Sequence, residues 1–137
     1  MPGIFTAYLQ VSDLGRSLSF YRDGLGLGVG WNDGTLAVLS SADNAAHTLV
    51  LREVGDSAER RLGEVGVTRI AWQMADPADL DGAEERLSQH AVRYQRFREA
   101  DADRIVMRDP DGLTVILFHA GEPGPTGKPP ASLYWYH

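Results

Sequence analysis

Short runs of alternating apolar and polar residues fill most of this chain, broken by two stretches of helical period. Residues 4–11 read as a strand. Leu14, Leu18 and Tyr21 then recur at helical spacing, with Leu25 beyond, and Ser12 or Asp13 is placed to cap that helix. Asp23-Gly24 stops it. Gly26, Gly28 and Gly30 line a turning or tightly packed segment, and Asp33-Gly34 predicts a hairpin joining strands at 27–31 and 35–39. Residues 40–44 read as a loop and 47–53 as a strand whose alternation is weak.

A polar joint at 54–66 leads to a second copy of the pattern. Residues 67–74 read as a strand, and Pro77 with Leu80, Ala83, Leu87 and Ala91 predicts an amphipathic helix. Strands follow at 92–97, 102–108 and 113–119. Asp109-Pro110-Asp111-Gly112 makes the turn before the last of them. The chain therefore reads as one domain of two modules, about 4–53 and about 67–119, each ordered β-α-β-β-β. A tail at 120–137 begins with a segment rich in proline and glycine. It ends on Leu133-Tyr134-Trp135-Tyr136-His137, too apolar a run to expose readily, and is expected to pack over a pocket mouth or onto a partner subunit.

Composition removes several classes of function. With 19 acidic against 13 basic residues the net charge is −6, and the arginines are scattered, so the basic face that nucleic acid requires is missing. No apolar stretch approaches the roughly 20 residues of a membrane span. Cysteine is absent, which excludes disulfides, thiolate metal sites and cysteine nucleophiles and suits a reducing cytoplasm. The glycines at 24–30 lack the strand–glycine–helix context of a dinucleotide site, and the acidic cluster at 101–111 lacks the closing Glu of a calcium loop.

Three stretches, "YLQVSDLGRSLSFYRDGLGL", "VTRIAWQMADPADLDGAEERL" and "VMRDPDGLTVILF", carry a resemblance. In order and spacing the chain resembles the vicinal oxygen chelate superfamily of glyoxalases, bleomycin-type resistance proteins and extradiol dioxygenases. The resemblance implies an α+β fold whose paired βαβββ modules form a concave, curved mixed sheet with flanking helices, and a homodimer as in related resistance proteins. It also implies four strand positions that supply metal ligands in metal-dependent members. Here these fall on Thr6, near Val50, and on Arg69 and Ile116. Thr is a poor ligand, Arg carries a permanent charge, and Val and Ile have no donor atom, so no metal and no other cofactor is expected. His47 and His119 lie three residues from Val50 and Ile116, an odd number, and are expected on the helix side; a one-residue register shift would return His47 to the site. His90 and His137 read as solvated.

Period-two alternation from those positions turns Tyr8, Gln10, Thr48 and Arg52 inward in the first module. In the second it turns Arg69, Ala71, Gln73, Thr114 and Phe118 inward. Arg52 and Arg69 would receive an anionic group, Gln10 and Gln73 would hydrogen-bond, and Tyr8 and Phe118 would stack on an unsaturated ring. Three of these also have a plainer reading: Arg52 pairing with Glu53 or Glu64, Arg69 with Glu99 or an aspartate, and Tyr8 as core. Arg104 and Arg108 would edge the same cavity or pair within the acidic cluster. The expected function is metal-free binding or sequestration of a small aromatic or anionic molecule. The alternative is a lyase, isomerase or dioxygenase acting on a small oxygenated substrate, and a metal-free enzyme using Tyr8, His47 or Arg69 also stays open.

Overall fold

In the computed structural model, the described residues are 6–41, 44–55, 67, 69–99 and 102–119, with backbone alone for 44–47. The chain divides into two units, Met1–Arg61 and Leu62–His137. Each carries one βαβββ module.

In the first, β1 (Thr6–Val11) leads into a short helix, α1 (Leu14–Leu18), which widens into a π-helical stretch at Ser19–Gly24. Asp13 is the cap, its carboxylate accepting the Arg16 amide at 2.9 Å, and the Leu14 amide is taken by Glu53 Oε1 at 3.0 Å. The predicted spacing of Leu14, Leu18 and Tyr21 holds. Phe20 is buried as well, its ring meeting that of Tyr21 edge to face at 4.8 Å, and the widened turn accompanies this second buried aromatic.

Three strands follow: β2 (Gly28–Asn32), β3 (Leu36–Ser41) and β4 (Asn44–Glu53). They form a sheet ordered β1-β4-β3-β2, with β1 parallel to β4 and the other pairs antiparallel. Ala37, Leu39, Leu49, Leu51 and Val11 are buried and share one parity, on the face that takes the helical segment.

The second module repeats the plan with β5 (Arg69–Gln73), α2 (Pro77–Gln89), β6 (Tyr94–Arg98), β7 (Asp103–Arg108) and β8 (Thr114–His119). Its sheet is ordered β5-β8-β7-β6, again with the outer pair β5–β8 parallel. Asp76 caps α2 by accepting the Ala78 amide, and Pro77 occupies the first turn, where its missing N–H costs nothing. Leu80, Ala83 and Leu87 are buried on one stripe of α2. Each such leucine contributes roughly 1.5–3 kcal/mol by leaving water. Buried Ile105, Met107, Val115 and Leu117 share the helix-side parity of the sheet. Arg96 ties β6 to the same helix, reaching Glu84 at 2.7 Å and Asp81 at 3.2 Å, and Tyr94 meets Ser88 at 3.1 Å. The turn before β8 is held by Asp109, whose Oδ1 accepts the Asp111 and Leu113 amides, and Gly112 takes the positive φ of 90°.

Four expectations need correction. The sheets are not one concave, curved sheet: each module makes its own open four-stranded sheet, neither curved nor closed, with β1 and β2 or β5 and β6 at its edges. Curvature requires repeated bulges or glycine kinks. Module one has register shifts at only two places, and module two runs through three pairings without one. The loop expected at 40–44 is shorter, since Ser41 pairs with Asn44. The apolar period of α2 extends on paper to Ala91, but the helix ends at Gln89 and Ala91 turns to φ 56°. The first helix, read from its spacing as one helix up to Asp23-Gly24, is π-helical from Ser19. The joint at 56–66 and the tail at 120–137 lie outside the described residues.

Candidate functional site

Each sheet has one face covered by its helix and one that is not, and strand parity assigns every candidate to the second kind. In module one that face carries Thr6, Tyr8 and Gln10 on β1, opposite Thr48, Val50 and Arg52 on β4. Register continues the middle row across the sheet as Tyr8, Val50, Val38 and Trp31. The row's interior is apolar, with Val50 buried, and its ends are two large aromatics exposed by 77% (Tyr8) and 60% (Trp31). Gln10 and Arg52 are adjacent partners in the next row and both are exposed.

Trp31 was not singled out from sequence. The bulge between Val29 and Trp31 resets the parity of β2, and simple alternation does not anticipate a bulge. The neighbouring turn fixes where Trp31 stands. Asp33 Oδ1 accepts the Thr35 and Leu36 amides at 2.9 and 2.8 Å and the Thr35 hydroxyl at 3.0 Å, and Gly34 supplies φ 94°. The Thr35 amide first, then the Leu36 amide, hold this exposed carboxyl below the usual carboxylate range, with a smaller contribution from the Trp31 side chain.

In module two the face away from the helix carries Arg69, Ala71 and Gln73 on β5, opposite Thr114, Ile116 and Phe118 on β8. The rows continue through Arg108, Val106 and Arg104 on β7 to Gln95 and Phe97 on β6. Arg69 and Phe118 are half-buried, Gln73 is exposed, and Thr114 and Ile116 are buried. A groove of about 870 Å³ runs over this end of the module, lined by Gln95, Val106, Arg108 and Thr114 together with Arg93 and Tyr94. Arg108 is steadied there by its bond to the Gly112 carbonyl at 3.1 Å. Positive charge and hydrogen-bond donors thus meet an apolar strip there.

The family-implied metal does not fit the four positions. Thr6 spends its hydroxyl on Thr48 at 2.8 Å, Val50 and Ile116 are buried hydrocarbon, and Arg69 is a cation. Among the described residues no three His, Cys, Asp or Glu side chains gather as a metal cluster. His119 lies on the helix side, as parity predicts, with Nδ1 2.9 Å from the Met74 carbonyl. His90 is the exposed C-cap of α2. The side chain of His47 and the whole of His137 lie outside the described residues.

Residues 3–117 match the family model described as Glyoxalase/Bleomycin resistance protein/Dioxygenase superfamily. No curated protein matches. Among solved structures, a glyoxylase/bleomycin resistance protein/dioxygenase domain from Frankia sp. EAN1pec is 22% identical. It superposes with a TM-score of 0.74 over 89% of this chain and 94% of its own. A glyoxalase/dioxygenase from Nostoc punctiforme is 18% identical, with a TM-score of 0.74 over 88% and 92%. Lactoylglutathione lyase from Agrobacterium tumefaciens is 22% identical, with a TM-score of 0.64 over 85% and 92%. At these identities the structural likenesses carry the fold alone.

Proposed function

The chain belongs to the Glyoxalase/Bleomycin resistance protein/Dioxygenase superfamily, and from that premise we propose that it takes up a small oxygenated molecule bearing an aromatic or anionic group. The preferred reading is turnover, as a lyase, isomerase or dioxygenase. Family membership over residues 3–117 is the observation that carries it, and a lactoylglutathione lyase among the structures of like fold agrees. The second reading is sequestration without turnover, favoured by the donor set at Thr6, Val50, Arg69 and Ile116, which offers no divalent ion a home. Neither reading routes a step through a metal at those positions.

In both readings the proposed contact residues are Tyr8, Gln10 and Arg52 within module one and Arg69, Gln73 and Phe118 within module two, each set taken on its own module. Stacking falls to Tyr8 and Phe118, hydrogen bonding to Gln10 and Gln73, and charge to the arginines. A homodimer and a cytoplasmic setting belong to the same proposal. Among the described residues no helix is long and apolar enough to cross a membrane. Sedimentation at micromolar concentration tests the dimer.

The deciding experiment treats chelator-stripped protein with lactoylglutathione and with a panel of small aromatic acids, following both product formation and bound ligand. Product favours turnover. Saturable 1:1 binding with no product favours sequestration. Neither product nor binding across the panel overturns the proposal.

A further inference from the structure

Arg104 is the second residue of β7, and only 2% of it is exposed. Its register neighbours on the face of module two away from the helix form a row: Gln73, Phe118, Arg104, Phe97. The guanidinium carbon stands 4.3 Å from the centroid of the Phe97 ring, a cation–π contact strengthened by burial. One carboxylate approaches it. Nη1 lies 3.0 Å from Glu99 Oε2, yet neither Nη1 nor Nε makes a hydrogen bond.

That combination is energetically incomplete. A buried donor without an acceptor costs about 1–3 kcal/mol, and more when it is charged. Arg96, on the helix side of the same sheet, has Glu84 and Asp81 in hydrogen-bond range and Asp103 nearby. Among the described residues Arg104 has one carboxylate partner, itself 44% exposed and able to leave into water. The buried half of the pair is fixed by its ring contact, and the exposed half is not.

We propose that Arg104 is a carboxylate-binding site in which Glu99 is a built-in stand-in, exchanged for the carboxylate of a small aromatic acid. The incoming oxygen takes the place of Glu99 Oε2 and makes the charge-assisted hydrogen bond to Nη1 that Glu99 leaves unmade. The ring of the acid then lies along the Phe97 and Phe118 row. Along β7 this position is two residues, roughly 7 Å, from Val106 in the groove lining, so one ligand spans both. This rests on the reading that the face of module two away from the helix receives a small molecule, and it adds the chemical class and the anchor.

Benzoate is the probe, titrated into the full chain and followed by calorimetry and by NMR shifts, with methyl benzoate as the uncharged control. Glu99→Gln removes the competing charge from a position 44% exposed. It is expected to tighten benzoate binding by about five-fold or more while leaving methyl benzoate unaffected, in keeping with the strength of charged hydrogen bonds. Arg104→Met is expected to abolish saturable benzoate binding. Should that variant fail to fold, Glu99→Gln alone still decides. Equal or weaker benzoate affinity in Glu99→Gln, or no saturable binding in either protein, overturns the proposal. Benzoate binding that ignores Glu99 but is lost in Arg69→Ala would overturn the Arg104 anchor and leave the small-molecule reading intact.

Discussion

The hydroxyls of Thr6 and Thr48 lie 2.8 Å apart across the parallel β1–β4 pair, each the register partner of the other. Thr6 stands where metal-dependent relatives are expected to carry their first ligand, so this position is committed to a cross-strand hydrogen bond. Such a bond contributes about 0.5–1.5 kcal/mol net when both partners are present. Thr6→Val and Thr48→Val are each expected to destabilise the chain by about that amount, and the double variant by less than their sum. A denaturant double-mutant cycle measures this. Strict additivity would mean that the hydroxyls do not interact.

Asp33 organises the β2–β3 turn through the Thr35 and Leu36 amides, and that turn stands beside Trp31. Its pKa is lowered in the folded chain, so its contribution is present above the unfolded carboxylate pKa and lost as pH falls through the lower, folded value. The Tm deficit of Asp33→Ala should therefore be constant from neutral pH down to about pH 5 and shrink below about pH 4. Thermal melts of both proteins across that range check it. A deficit unchanged down to pH 2 would assign the effect to shape rather than charge.

Arg96 joins β6 to α2 with its side chain nearly buried, while Glu84 and Asp81 are more exposed. Desolvation opposes its charge, but hydrogen bonds to Glu84 and then Asp81, helped by Asp103, outweigh it and raise the pKa. Breaking a fully buried pair costs about 3–5 kcal/mol; with partners this exposed, Arg96→Ala is expected to cost about 1–3 kcal/mol. Urea unfolding reads the loss directly. A change within about 0.5 kcal/mol, the range of an ordinary surface substitution, would contradict it.

The parts of this molecule set by local rules were readable from its residues. Asp13, one of two cap candidates with Ser12, and Pro77 marked the two helix starts, because a short carboxylate answers the free amides of a first turn and proline fits there without its N–H. Alternation from Thr6 and Ile116 sorted Leu9 and Val11 from Tyr8 and Gln10, and Val115 and Leu117 from Thr114 and Phe118, because a strand has a strict period of two. What eluded the sequence depends on longer-range packing. Nothing in Ser19–Gly24 by itself requires a π-helical turn. The flat, open sheets reflect how few bulges the pairings contain, which residue alternation does not encode. Arg104 was read, with Arg108, as edging the cavity or pairing within the acidic cluster; its burial against Phe97 follows from the β6–β7 register. Trp31 was hidden by the bulge next to it.

The central claim is that Thr6, Val50, Arg69 and Ile116 hold no divalent cation, so recognition of a small molecule runs through hydroxyl, amide, guanidinium and ring contacts. Elemental mass spectrometry of protein purified without chelator tests it most directly. The account predicts Fe, Mn, Zn, Ni and Co each far below one ion per chain, and no change in ligand binding after EDTA treatment. One tightly held ion per chain, with binding or turnover lost on its removal, would contradict it.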